Sequence, residues 1–139
     1  MSEPKRRFLE RAVLHASLRS APSPTVIPEH TVIVGNLRGK GQFVVCGEVQ
    51  GDGELEGALI LSVTASWHGN IQAQQAIIAG KIFGGIIVKD KLEIGNAAVI
   101  RGRVSARTIA IAKGAVVEGE IEVTSGIPIV EFEEKRDGR

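Results

Sequence analysis

The chain has 139 residues, enough for one domain, and a formal net charge of +1, which gives no bulk field for nucleic acid or for an acidic partner. Hydrophobic residues make up 43% and aromatics only 4%, so a core must be built from Val, Ile, Leu and Ala, whose similar shapes stack on one another. Cys46 stands alone, which excludes an intrachain disulfide and fits a reducing compartment, and no apolar run approaches the ~18–20 residues of a membrane span.

Residues 1–20 carry a helical pattern. At about 100° per residue, Phe8, Leu9, Ala12, Val13 and Ala16 fall on one arc, with Arg6, Arg7, Arg11, His15 and Arg19 outside it or at its border. Two readings stand: a disordered tail, or a basic amphipathic segment lying on anionic lipid through Arg6, Arg7, Phe8, Leu9, Arg11 and Val13. Arg6-Arg7-Phe8-Leu9 also has the look of a twin-arginine export signal, but Glu10, Arg11, His15 and Arg19 break the apolar region that should follow. Pro22, Pro24 and Pro28 make residues 20–30 a linker, because proline removes donors and fixes φ. Residues 1–30 are therefore expected to be a tail and linker.

From about Thr31 the pattern becomes alternation. Between Val49 and Ala73 every odd position is apolar or Gly, while most even positions are polar. Period two over that length means strand after strand, each with one buried face. One strand does not run so far in a small domain, so the chain must bend repeatedly with the same side inward. Five-residue figures such as Gly35-Asn36-Leu37-Arg38-Gly39, Gly53-Glu54-Leu55-Glu56-Gly57 and Gly102-Arg103-Val104-Ser105-Ala106 recur. Their leading glycines, 35, 53, 69, 84, 102 and 119, step by 18, 16, 15, 18 and 17, a repeat near 17.

Three aliphatic columns share that period. One is Leu37, Leu55, Ile71, Ile86, Val104 and Ile121; the second is Val45, Leu61, Ile77, Ile94 and Ile111; the third is Val32, Val49, Trp67, Ile82, Ile100 and Val117. Three columns at one period predict an all-β solenoid with three short strands per turn, about five to six turns tall, over residues 31–130. Successive turns lie about 4.8 Å apart as parallel neighbours. An offset of 17 sets Glu118 against Arg101 and Glu120 against Arg103 on the outer face. Residues 131–139 are charged and are expected to be a flexible tail.

The first and last turns of such a coil each expose an unpaired edge and an open apolar cross-section. Val32, Ile33, Val34 and Leu37 form one such end, and Val117, Ile121, Val123, Ile127, Ile129 and Phe132 the other. Either copies stack end to end, or residues 20–30 and 128–135 fold over the ends as caps.

Motifs that carry chemistry are not met. Gly114 to Gly119 has the first spacing of a phosphate loop, but Glu120 follows where Lys is needed. His68 is the only histidine within the coil and sits on an outward position, and with Cys46 it does not make up a zinc set. No catalytic, cofactor or metal residues are expected, and no nucleic acid partner.

Taken together, the Gly-x-aliphatic-x-small figures, the period near 17, the Val/Ile columns, the proline-bearing head and the charged tail resemble the bactofilin family over about residues 31–130. The resemblance implies a right-handed parallel β-helix that polymerises end to end without nucleotide into filaments lacking overall polarity. It further implies a cytoplasmic, cytoskeletal scaffold for cell-shape and cell-wall machinery, attached in many members to the inner membrane face by the N-terminal tail. Its partners would be further copies of itself, anionic lipid and the cell-wall or membrane proteins recruited. Ile87 departs from the family figure by standing at a normally polar position, and with Ile60 and Phe83 it suggests an apolar outer strip for a lateral or partner contact. Two other functions remain open: an acyltransferase or carbonic anhydrase on a left-handed hexapeptide coil, which needs a strict six-residue step, and a membrane-surface adaptor that does not polymerise.

Overall fold

The computed structural model describes residues 23–133. Among them lie fifteen strands and no helix, and every strand pairing is parallel. One side of the coil is a six-stranded sheet of three-residue strands: β2 (Val32–Val34), β4 (Glu48–Gln50), β6 (Ser66–His68), β9 (Lys81–Phe83), β11 (Val99–Arg101) and β13 (Val116–Glu118). The other sheet contains β1 (Thr25–Ile27), β3 (Leu37–Val45), β5 (Gly53–Leu61), β7 (Ile71–Ala73), β8 (Gln75–Ile78), β10 (Ile86–Ile94), β12 (Val104–Ala112), β14 (Ile121–Val123) and β15 (Val130–Phe132).

The nine-residue strands each serve two sides of the coil in succession. Their first halves pair with β7 and β14, and their second halves with β1, β8 and β15. The three short strands expected per turn are thus present, with two of them fused wherever the corner between them keeps strand geometry. At Gln74 it does not, and β7 and β8 separate. The result is a β-solenoid of six turns, the number of strands in the smaller sheet. We call the side of the first halves side A, that of the second halves side B, and the six-stranded side C.

The core lies inside the coil. On side C the inward column is Ile33, Val49, Trp67, Ile82, Ile100 and Val117. On side A it is Leu37, Gly53, Ile71, Ile86, Val104 and Ile121. On side B it is Ile27, Val45, Leu61, Ile78, Ile94 and Ile111. No polar or charged side chain among the described residues is buried. Each fully buried aliphatic contributes about 1.5–3 kcal/mol through removal from water.

Three expected column members are corrected. Val32 pairs with Glu48 and is exposed, while its neighbour Ile33 takes the column. Ile77 points outward because the corner at Gln74 and Gln75 is one residue shorter than its neighbours, so Ile78 turns inward. Leu55 is buried, but opposite Gly39; the rung between Leu37 and Ile71 belongs to Gly53. The repeating corner glycine is likewise Gly51 rather than Gly53. Gly35, Gly51, Gly69, Gly84, Gly102 and Gly119 all have φ between +140° and +153°, a region open to Gly and strained for other residues. From Gly51 onward, a Cβ at each would also collide with the carbonyl oxygen of the corner glycine one turn back.

Gly53 and Gly39 serve packing instead. The Trp67 ring, fully buried, lies over Gly53 so closely that a Cβ there would sit 2.7 Å from it, and Phe43 lies 2.9 Å from the equivalent point on Gly39. Each large aromatic is matched by a missing side chain nearby, which keeps interior volume constant from turn to turn. Trp67 Nε1–H donates to the Gly51 carbonyl at 2.8 Å, so its one polar atom is satisfied.

A polar ladder runs beside the corner glycines. Asn36 Oδ1 accepts from the Asp52 N–H at 2.9 Å, Asp52 Oδ1 from the Asn70 N–H at 3.0 Å, and Asn70 Oδ1 from the Gly85 N–H at 2.9 Å. Each side chain satisfies a backbone donor that the corner has turned away from the strand ladder. The sequence signal was the Asn or Asp that follows Gly35, Gly51 and Gly69.

Candidate assembly interface

The chain places two open cross-sections at opposite ends of the coil. At the N-terminal end, among the described residues, β2 closes the six-stranded sheet with no strand beyond it, and β1 covers only side B. Val32 and Val34 are exposed at this edge, while Ile33 and Leu37 are half-buried against the core. Gly35 is the one corner glycine of the ladder whose added Cβ would meet nothing within 4 Å. Among the described residues, no turn fills that space as one does at every later corner.

At the C-terminal end β13 and β14 are the last strands on sides C and A. Val117 and Val123 pack partly against the core, and Ile121 is 38% exposed, whereas Val104 directly beneath it is 0% exposed. Ile127 and Ile129 lie in the irregular connection to β15, both exposed. Phe132 pairs with Ala112 on side B and is half-buried. Of the ten residues expected at the ends, eight lie on β2, β3, β13, β14 and β15 and two on the connection between β14 and β15.

The flanking segments each form a strand on side B. Thr25–Ile27, within the stretch read as a linker, forms β1, and Ile27 is buried at 4% exposure. Val26-Ile27 between Pro24 and Pro28 was the signal for it. β1 and β15 each cover side B at their own end and leave sides A and C open. Arg6, Arg7, Phe8, Leu9, Arg11 and Val13 lie outside the described residues. Among the described residues, no helix is long and apolar enough to cross a membrane.

The two ends differ in charge. The N-terminal edge carries Arg38 and Lys40, which reach Glu54 at 3.2 Å and Glu56 at 3.9 Å one turn in. The C-terminal edge carries Glu118, Glu120 and Glu122. Glu118 contacts Arg101 at 2.9 Å and Glu120 contacts Arg103 at 2.6 Å, the two pairs expected from the offset of 17. The hydrogen bond to Glu120 holds the Arg103 guanidinium even more firmly protonated than usual. Further in, Arg107 donates to Asp90 at 2.9 Å, and that bond holds the Asp90 carboxyl below the ordinary carboxylate range. All of these groups are exposed, and such pairs fix register more than they stabilise.

Ile60, Phe83 and Ile87 do not form one strip. Ile60 faces outward on side B between Val44 and Ile77; Phe83 is on side C; Ile87 is on side A between Gln72 and Ser105. The reason is spacing within a turn: residues 60, 83 and 87 fall on three different sides of a coil whose period is near 17. Phe83 stacks on His68 with ring centroids 4.9 Å apart, and Arg101 sits 6.0 Å from the ring centre. His68 also approaches Glu48 at 3.6 Å, which makes it one member of a surface cluster on side C.

Comparison with known proteins agrees with this geometry. The family model described as bactofilin, polymer-forming cytoskeletal, matches residues 25–122, beginning at the first residue of β1. Bactofilin BacO of Myxococcus xanthus is 31% identical over 99 residues, covering 71% of this chain and 79% of its own length. Bactofilin BacP of the same organism is 26% identical over 99 residues, of which the match spans 41% of its length. No solved structure matches. A coil of six stacked turns, matched by that family model over most of its length, belongs to the bactofilin family of polymer-forming cytoskeletal proteins.

Proposed function

We propose that this chain is a scaffold subunit that assembles end to end into filaments without ATP or GTP, and that the filament lacks overall polarity. The observation that carries the reading is the exposure of the same columns that are fully buried within. Ile71, Ile86 and Val104 are sealed by a turn on each side, while Leu37 and Ile121 at the ends of that column are not. A second copy supplies the missing turn, burying apolar side chains and pairing strand edges in one step. Val32, Ile33, Val34 and Leu37 form one junction; Val117, Ile121, Val123, Ile127, Ile129 and Phe132 form the other.

The filament runs along the inner face of the cytoplasmic membrane, held by Arg6, Arg7, Phe8, Leu9, Arg11 and Val13 against anionic lipid, and recruits cell-wall or membrane proteins. Basic residues beside an apolar arc support this attachment.

Negative-stain microscopy of the purified chain in plain buffer tests assembly: threads are expected, and Val123→Arg should reduce them to short particles. If wild type and variant sediment alike as monomers, end-to-end assembly is wrong. Deleting residues 2–20 tests attachment separately. A fluorescent fusion should leave the membrane while the purified deletion still forms threads.

A further inference from the structure

The three sides of the coil do not present the same outer surface. Side A carries charge on most turns, as with Arg38, Lys40, Glu54, Glu56, Lys89 and Glu122. Side B is different. Its outward column runs Val26, Val44, Ile60, Ile77, Glu93, Ala110 and Val130, each hydrogen-bonded neighbour directly above the last. Val26, Ile77 and Val130 are each close to half exposed or more. A second column, two residues back along each strand, reads Gln42, Ala58, Gln75, Lys91 and Thr108. Over these two columns the charged residues are Lys91 and Glu93, opposite in sign and on the same strand.

We infer that side B is a lateral interface for a second copy of this chain, packed sheet against sheet with the two coil axes parallel. The symmetry follows from the surface. A two-fold axis along the coil brings each turn opposite the same turn of the mate and exchanges the two columns. Ile60 then meets Ala58 of the second copy, Ile77 meets Gln75, and Lys91 meets Glu93 in both directions. The charged rung is complementary to itself under this operation, and the remaining rungs bring no charge to bury. Sheets packed this way lie about 10 Å apart, within reach of Ile and Val side chains. Apart from Val26 and Val130, the contact uses a surface away from both ends, so it does not depend on end-to-end assembly, and in a filament it repeats at every subunit.

Four full-length chains test it: wild type, Lys91→Glu, Glu93→Lys and the double exchange Lys91→Glu/Glu93→Lys. Both positions face outward, so the fold is retained. Mass per length is read by scanning transmission microscopy. Wild-type threads are expected to be paired; each single variant puts like charges on the facing rung and halves the mass per length; the double exchange restores it. Four chains of equal mass per length, or a double exchange that behaves like the singles, would overturn the assignment. If no threads form, end-to-end assembly fails while sedimentation of the same four chains still reads side B. A dimer lost in both singles and regained in the double supports the pairing, and four monomers refute it. Vesicles containing phosphatidylglycerol provide the last arm. Should Ile60→Glu/Ile77→Glu release the chain from them while the charge variants change nothing, the occupant is a lipid surface and the second-copy assignment is wrong.

Discussion

The middle turns of this coil and its two ends are made of the same residue types, yet only the middle is closed. Ile82 and Ile100 are fully buried between neighbours above and below, while Val117 at the end of the same column is half-buried. Gly102 has the carbonyl of Gly84 where a side chain would go, whereas among the described residues nothing lies within 4 Å of that point at Gly35. Among the described residues, what distinguishes an end from a middle turn is the absent neighbour. Stability and assembly are therefore the same physical event, performed within one chain or between two.

Core truncation should separate the two regions most strongly. Ile82→Ala is expected to cost about 2–5 kcal/mol in chemical unfolding, because a rigid column cannot collapse around the cavity. Val117→Ala should cost the single coil only about 1 kcal/mol while raising the concentration at which threads appear. Equal losses of stability at both positions would mean that the C-terminal end is not an open cross-section.

Corner glycines give the next contrast. Gly102→Ala combines a strained φ with a backbone collision and should lose at least about 1–3 kcal/mol. Gly35→Ala meets strain alone, so it should melt at a higher temperature than Gly102→Ala. It should still impair thread formation, since a neighbouring copy would bring a backbone to that empty space. Threads of normal length from Gly35→Ala would show that the N-terminal junction does not use the corner.

The ends can also be told apart by salt. In a filament without polarity, C-terminal ends meet each other and bring Glu118, Glu120 and Glu122 of two copies together, and N-terminal ends do the same with Arg38 and Lys40. Raising salt from about 0.01 M to about 0.15 M shortens the screening length from about 30 Å to about 8 Å. Light scattering should therefore increase with salt. A decrease would indicate that Glu122 meets Arg38 across a head-to-tail junction instead.

The smallest effect concerns the exposed pairs in the closed region. Asp90 has its acidity strengthened by Arg107. The stability this supplies is complete above the ordinary carboxylate pKa and is lost as pH falls through the lowered folded value. Melting temperature against pH should thus fall slightly more steeply at the acid end for wild type than for Asp90→Asn.

Much of the coil could be read from the residues because one rule repeats. From Val49 to Ala73 the inward parity holds at nearly every odd position, with Val63 at a corner as the exposed exception. Two of the column errors arise where the turn length changes. A period that wavers between 15 and 18 does not say at which corner a residue is gained or lost. Adjacent aliphatics (Val32 and Ile33, Ile77 and Ile78) therefore could not be ranked by spacing. Gly51 and Gly53 were confused because one makes the corner and the other makes room for Trp67, a distinction that depends on a contact 14 residues away in sequence. The outer strip was not legible, since it needed the three sides assigned before Ile60, Phe83 and Ile87 could be placed.

X-ray diffraction from oriented threads of the purified chain tests the stacking of turns along the filament. If coils join end to end, the strands lie across the thread, and a reflection near 4.8 Å should fall on the meridian. That reflection on the equator, or a solution that yields no threads to orient, would contradict the account.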